Sequence, residues 1–131
     1  MFNFEKVADV ADYLALMDGE EYNRSAISRY YYSLFCSTRL YLILILGETR
    51  FIKGKDIHTK VCDRLKMSDD LTENNLGNIL EDLRQLRNFA DYDWYIKDSS
   101  FYKKNLNYVK NESRVGLEQL NALKNSPPYK V

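Results

Sequence analysis

The sequence predicts an all-α fold, an up-down bundle of four main helices plus one short helix, and three observations carry that expectation. Only five glycines and two prolines punctuate the 131 residues, and both prolines (Pro127, Pro128) fall at the tail, so long stretches hold no helix breaker. Apolar residues recur three and four apart over most of the chain, while the alternation of a half-buried strand is weak throughout. Hydrophobic residues reach 45% and aromatics 14%, enough to fill one core and unlike a disordered composition.

The first helix is expected after Asn3, acting as N-cap, and up to about Gly19, with Val7, Val10, Ala11, Leu14 and Met17 on its apolar side. The second spans about Glu21 to Leu46. Its stripe is Ile27, Tyr31, Leu34, Thr38, Tyr41 and Ile45, and Gly47 supplies the stop. Residues 47–56 read as a loop rich in Gly and Lys. Asp56 then caps a short third helix through Ile57, Val61 and Leu65.

Ser68 to Thr72 reads as a connection. The fourth helix follows to about Ile96 on Leu76, Ile79, Leu80, Leu83, Leu86, Ala90 and Trp94. The fifth runs from about Ser100 to Lys124 on Tyr102, Leu106, Val109, Ser113, Gly116, Leu117, Leu120 and Leu123. Three of these helices have roughly 25 residues, near 37 Å at the α-helical rise, and rods of that length bury their stripes side by side. Residues 1–125 therefore make a single domain, and 126–131 read as a flexible tail.

Nineteen basic residues balance nineteen acidic ones. A general nucleic-acid coat would show as a basic excess, so any RNA or nucleotide must be bound by a local cluster. Cys36 and Cys62 form no metal-type spacing and there is a single His, so no metal site and no cofactor are expected. Both cysteines read as reduced thiols, with Cys36 in the core. The early acid in Met1-Phe2-Asn3-Phe4-Glu5 argues against a signal peptide, and the apolar run Leu40–Leu46 is too short to span a bilayer. A cytoplasmic protein without membrane contact is the expectation.

On a helical wheel the stripe of the fourth helix centres on Leu83 and Ala90, with Arg87 roughly 50° and Asp91 roughly 90° away. Arg84, Arg87, Asp91 and Tyr95 then line one edge of the buried face, where Arg87 and Asp91 are four apart and can meet. Such a pair is by itself common, and contributes a few tenths of a kcal/mol in an exposed setting.

The run Leu86-Arg87-Asn88-Phe89-Ala90-Asp91-Tyr92-Asp93 resembles the L-R-x-x-A-D-Y-D signature in one branch of the HEPN superfamily, small helical bundles often paired with minimal nucleotidyltransferases. The run Ala26-Ile27-Ser28-Arg29-Tyr30-Tyr31-Tyr32-Ser33-Leu34-Phe35 is similar to that branch's A-x-S-R-x-Y-Y-A-x-F, with Ser33 in place of the small Ala. His58 follows a Lys-bearing loop, as a His does there. The resemblance implies a homodimeric, nucleotide- or RNA-associated module that works with a partner protein, a nucleotidyltransferase or another member of a toxin–antitoxin or anti-phage defence pair.

Many members of that superfamily are metal-independent ribonucleases whose motif is Arg, a polar residue and then a His. The RNA 2′-hydroxyl must lose a proton, the leaving oxygen must gain one, and an Arg fork offsets charge on the phosphorane. This sequence keeps Arg87 and Asn88, but Tyr92, Asp93 and Trp94 stand where the His would fall. A ribonuclease reading therefore needs Asp91, or His58 brought near in space, as its base; the alternative for a lone His is a surface or packing role. The ligand-binding set implied is Arg29, Arg84, Arg87, Asp91 and Tyr92. Tyr92 and Tyr95 also stand where members paired with nucleotidyltransferases can be modified with AMP.

Tyr30-Tyr31-Tyr32 spans three faces of the second helix, so at least one must leave the core stripe. A dimer surface is favoured over a base-stacking platform, given the zero net charge. Lys53, Lys55 and Lys60 read as solvated charges.

Overall fold

The computed structural model describes residues 1–126, and the terminal residues 127–131, most of the expected tail, lie outside them. The chain is all-α, with α1 Lys6–Ala15, α2 Glu20–Leu40, α3 Ile57–Lys66, α4 Leu71–Tyr92 and α5 Ser99–Asn125. A π-helical turn, Tyr41–Ile45, prolongs α2, and a 3-10 turn, Thr49–Phe51, interrupts the following loop. Three long rods and two ten-residue helices result, so the first helix is shorter than its periodicity suggests.

Side-chain pairs give the directions. Tyr31 faces Arg87 while Ser28 meets Asp91, so α2 and α4 are antiparallel. Ser33 reaches the Phe4 carbonyl and Tyr30 reaches Asp12, so α1 runs against α2. Tyr108 bonds Asp82 and Tyr102 bonds the Phe89 carbonyl, so α5 runs against α4. The core between them is aliphatic and aromatic: Ile27, Leu34, Leu76, Leu80, Leu83, Tyr102, Val109 and Leu120 are buried. Each such side chain contributes about 1.5–3 kcal/mol of transfer free energy.

Several boundaries differ from the sequence expectation for identifiable reasons. Asn3 accepts the Glu5 amide on its side chain at 3.0 Å and the Lys6 amide on its carbonyl at 3.1 Å, so it caps a turn that precedes α1. Val10 is exposed, because α1 packs on α2 through Ala8, Ala11 and Leu14 instead. In the π turn the Leu46 amide bonds the Tyr41 carbonyl five residues back. The residue stacked under Tyr41 is therefore Leu46, which packs on the core, and Ile45 is left exposed. Gly47 then turns the chain at φ +71°, a conformation glycine adopts freely. Cys36 is half-buried and Cys62 buried, and both are free thiols.

Asp56 precedes α3 in a left-handed conformation and its side chain caps nothing; its carbonyl takes the Lys60 amide. Asp70 is the true cap of α4, accepting the Glu73 amide at 2.8 Å, and this draws Thr72 into the helix. At the other end α4 stops at Tyr92, so Trp94 is 84% exposed where the stripe expected it buried.

Two features fix α3 against α4. A Cβ on Gly77 would lie 2.9 Å from the Lys66 amide nitrogen, so only glycine permits this approach. Arg64 pairs with both oxygens of Glu48 at 2.8 Å and with buried Glu73 at 2.9 Å, tying the loop, α3 and α4 together. Among the described residues no helix is long and apolar enough to cross a membrane.

Candidate functional site

The seam between α2, α3 and α4 gathers residues that sequence spacing alone could not bring together. Arg87 enters from α4 almost fully buried, 5% exposed. Its guanidinium lies 5.1 Å from the ring centres of both Tyr31 and Tyr32, cation–π contacts that help offset the cost of burying the charge. Its Nη1 is 3.5 Å from Asp91 Oδ2, which also accepts the Ser28 hydroxyl at 3.2 Å, while Arg87 Nε is buried without a hydrogen-bond partner.

His58 arrives from α3. Its ring stacks on Phe35 with centroids 4.0 Å apart, and its Nδ1 lies 2.6 Å from the Tyr31 hydroxyl. Burial, then the charges of Arg87, Arg84 and Arg39, pull its pKa down to about 4, so it is neutral at physiological pH. Burial likewise pushes the Tyr31 phenol well above its ordinary range, and it remains a proton donor. Arg84 closes the edge by donating to the Thr59 hydroxyl at 2.7 Å. It does not reach Asp91, because it leans across to α3.

Arg84, Arg87, Asp91 and His58 thus form one cluster. The remaining expected residues stand apart. Asn88 is exposed at the edge of a recess of about 330 Å³ with Phe89 and Tyr92, one residue round the helix from Arg87. Arg29 is exposed and has no hydrogen-bond or ion-pair partner among the described residues. Tyr92 and Tyr95 are 72% and 70% exposed, and Tyr95 leaves the expected edge because the helix has ended before it. Of the tyrosine run, Tyr30 and Tyr31 are buried and only Tyr32 reaches the surface, so the run offers no broad interface or stacking platform. Lys53, Lys55 and Lys60 are solvent-exposed.

Ser28, Tyr31, Phe35 and Thr59 complete the cluster; the sequence placed Tyr31 in the core stripe and the tyrosine run, and Ser28 and Phe35 in the second motif, without joining any of them to Arg87. The signal available was the spacing of Ser28, Tyr31 or Tyr32, and Phe35, one flank of a helix at i, i+3 or i+4, and i+7.

A second cluster terminates α4. Arg24 Nη2 donates to the carbonyls of Phe89 (3.1 Å) and Asp93 and to the Tyr102 hydroxyl (2.9 Å), over whose ring the guanidinium sits at 4.3 Å. The Asp93 carboxylate accepts the amides of Ile96 and Lys97, each at 2.8 Å, and the Tyr102 hydroxyl at 2.9 Å. Burial raises the pKa of Asp93, but these donors outweigh it and hold the group at about 2. Asp93 is thus a structural acceptor, and neither it nor Trp94 stands in for a catalytic His.

Among the described residues no group of three or more His, Cys, Asp or Glu side chains is placed to hold a metal ion. No family model matches the chain, and no curated protein or solved structure matches it significantly.

Proposed function

We propose that this chain is a HEPN-type, nucleotide- or RNA-associated interaction module whose recognition centre is the Arg84–Arg87–Asp91–His58 cluster. In this reading it acts in the cytoplasm as a homodimer, together with a nucleotidyltransferase or another partner of a toxin–antitoxin or anti-phage defence pair. The observation that supports it is the convergence of His58 on Arg87: both touch Tyr31, although they lie on different helices. A neutral imidazole beside two guanidinium groups and a carboxylate engaged by Ser28 suits the recognition of an oxyanion better than proton transfer. Arg29 and Tyr92 would extend the contact surface.

Two measurements test this. Gel filtration at high concentration should give a dimer, and a strict monomer would remove the homodimer from the proposal. Expression with and without the neighbouring gene should give a growth effect that Arg87→Ala abolishes while the protein remains folded. An unchanged effect in that variant would remove Arg87 from the centre.

The runner-up is a metal-independent endoribonuclease using Arg87 and Asn88 with His58 or Asp91 as an unusual base. The imidazole at the Arg87 cluster favours it; the exposure of Asn88 on another face does not. Purified protein that cleaves RNA, with Arg87→Ala and His58→Ala both inactive, would place this reading first.

A further inference from the structure

The bond between Tyr31 and His58 has two ways to carry its protons, and the surroundings choose between them. Tyr31 is fully buried, and among the described residues its hydroxyl has no hydrogen-bond acceptor other than His58 Nδ1. Arg87 lies over the Tyr31 ring as a cation, and a guanidinium can donate a hydrogen bond but never accept one. If His58 carried its proton on Nδ1 and donated it to Tyr31, the phenol proton would be buried with nothing to receive it, which is unfavourable. If Tyr31 donates to Nδ1, the phenol proton has an acceptor and the ring proton sits on Nε2. Stacking on Phe35 at 20° holds the ring plane.

The groups facing this imidazole are Tyr31, Tyr32 and Arg39 from α2 and Arg84 and Arg87 from α4. None is an acid, and the cluster's carboxylate, Asp91, meets Arg87 and Ser28 rather than the imidazole, so nothing in contact with the ring favours a second proton. We infer that Tyr31 is a positioning residue that fixes His58 as its Nε2–H tautomer, making the imidazole a neutral hydrogen-bond donor to an oxyanion at the rim of the Arg87 cluster. The tautomer stands on this geometry alone; the oxyanion rests on the function proposed above. In this arrangement His58 contributes direction and no charge, and the arginines contribute the charge.

The test uses the full chain labelled with nitrogen-15 and reads the imidazole nitrogens by NMR at neutral pH. The wild type should show a protonated Nε2 and an acceptor-type Nδ1, and Tyr31→Phe should turn this into a mixture of tautomers. A dominant Nδ1–H form, or an unchanged ratio in Tyr31→Phe, overturns the assignment. If Tyr31→Phe fails to fold, the wild-type spectrum still decides the tautomer.

Titration with inorganic phosphate tests the donor. It should shift Nε2 more than Nδ1. His58→Gln, whose amide nitrogen falls near Nε2, should bind within about twofold of wild type, and His58→Asn should lose about tenfold or more, the worth of one hydrogen bond to a charged group. Equal binding by the two variants, or an unmoved Nε2, overturns the oxyanion role while leaving the tautomer in place. The growth measurement on Arg87→Ala is independent of either result.

Discussion

Arg24 and Arg87 lie on the same α2–α4 seam, and each faces one aspartate of the run Ala90-Asp91-Tyr92-Asp93, yet they are used in opposite ways. Around Arg24 both terminal guanidinium nitrogens are engaged, although its Nε, like that of Arg87, is buried without a partner. One guanidinium nitrogen serves three acceptors, another serves Glu20 at 3.2 Å, and Asp93 takes its donors from backbone amides and Tyr102. Around Arg87 the carboxylate stands off at 3.5 Å and most of the coordination is aromatic. A cluster whose terminal guanidinium nitrogens already bind fixed acceptors works as a clamp. A cluster whose cations face rings and a single carboxylate keeps capacity that a ligand can use.

The largest expected effect follows from that contrast. Arg24→Met should cost about 3 kcal/mol of stability, because it removes the donor to the carbonyls of Phe89 and Asp93 and to the Tyr102 hydroxyl at a packed seam. Arg87→Met should cost about 1 kcal/mol, the worth of its cation–π contacts and one loose pair. Urea denaturation measures both, and equal costs would break the distinction between clamp and site.

Gly77→Ala comes next, at about 2 kcal/mol by overpacking against the backbone of Lys66. It should also prise α3 from α4 and loosen the Arg84–Thr59 bond while leaving the Arg24 clamp intact. Hydrogen exchange that rises at α3 but not at 93–97 would show this; uniform exchange would not fit.

The clusters should also titrate apart. His58 has its ordinary pKa of 6.5 when unfolded and about 4 when folded, so the unfolded chain binds more protons between those values. Stability therefore falls as pH drops through that window, and His58→Gln should flatten it. Asp93 moves from 3.8 to about 2, so its contribution is lost only below pH 3.8. A single acid transition unaffected by His58→Gln would mean that the folded protein does not hold this imidazole neutral.

The smallest effect belongs to Trp94→Ala, which should change stability by less than about 0.5 kcal/mol, since the ring is exposed. The original stripe, with Trp94 in the core, would have made it among the most damaging.

That last contrast marks where sequence reasoning stopped. Periodicity placed the five helices and put Arg87 and Asp91 on a flank of α4, because those facts are local to one helix. It ran α4 to Ile96 because nothing local ends the pattern. What ends it is Arg24, far away on α2, and Tyr102 on α5, which pull Asp93 out of helical geometry into contact with the amides ahead of it. The Arg87–Asp91 pair was legible for the same reason that α4 was. His58 beside Tyr31 was not, because the Gly77 contact and the Arg64–Glu48–Glu73 ties that seat α3 join residues from separate elements.

The π turn at Tyr41–Ile45 has a consequence for how this chain can change length. A π turn is an α turn carrying one surplus residue, and here Leu44 and Ile45 both face outward. Deleting either would restore ordinary helix and leave Leu46 four residues after Tyr41, on the line it already occupies. The stretch that carries Ser28, Tyr31 and Phe35 lies upstream and would keep its phase. The turn is thus a splice point, where insertion and deletion can act without altering the face that meets Arg87 and His58.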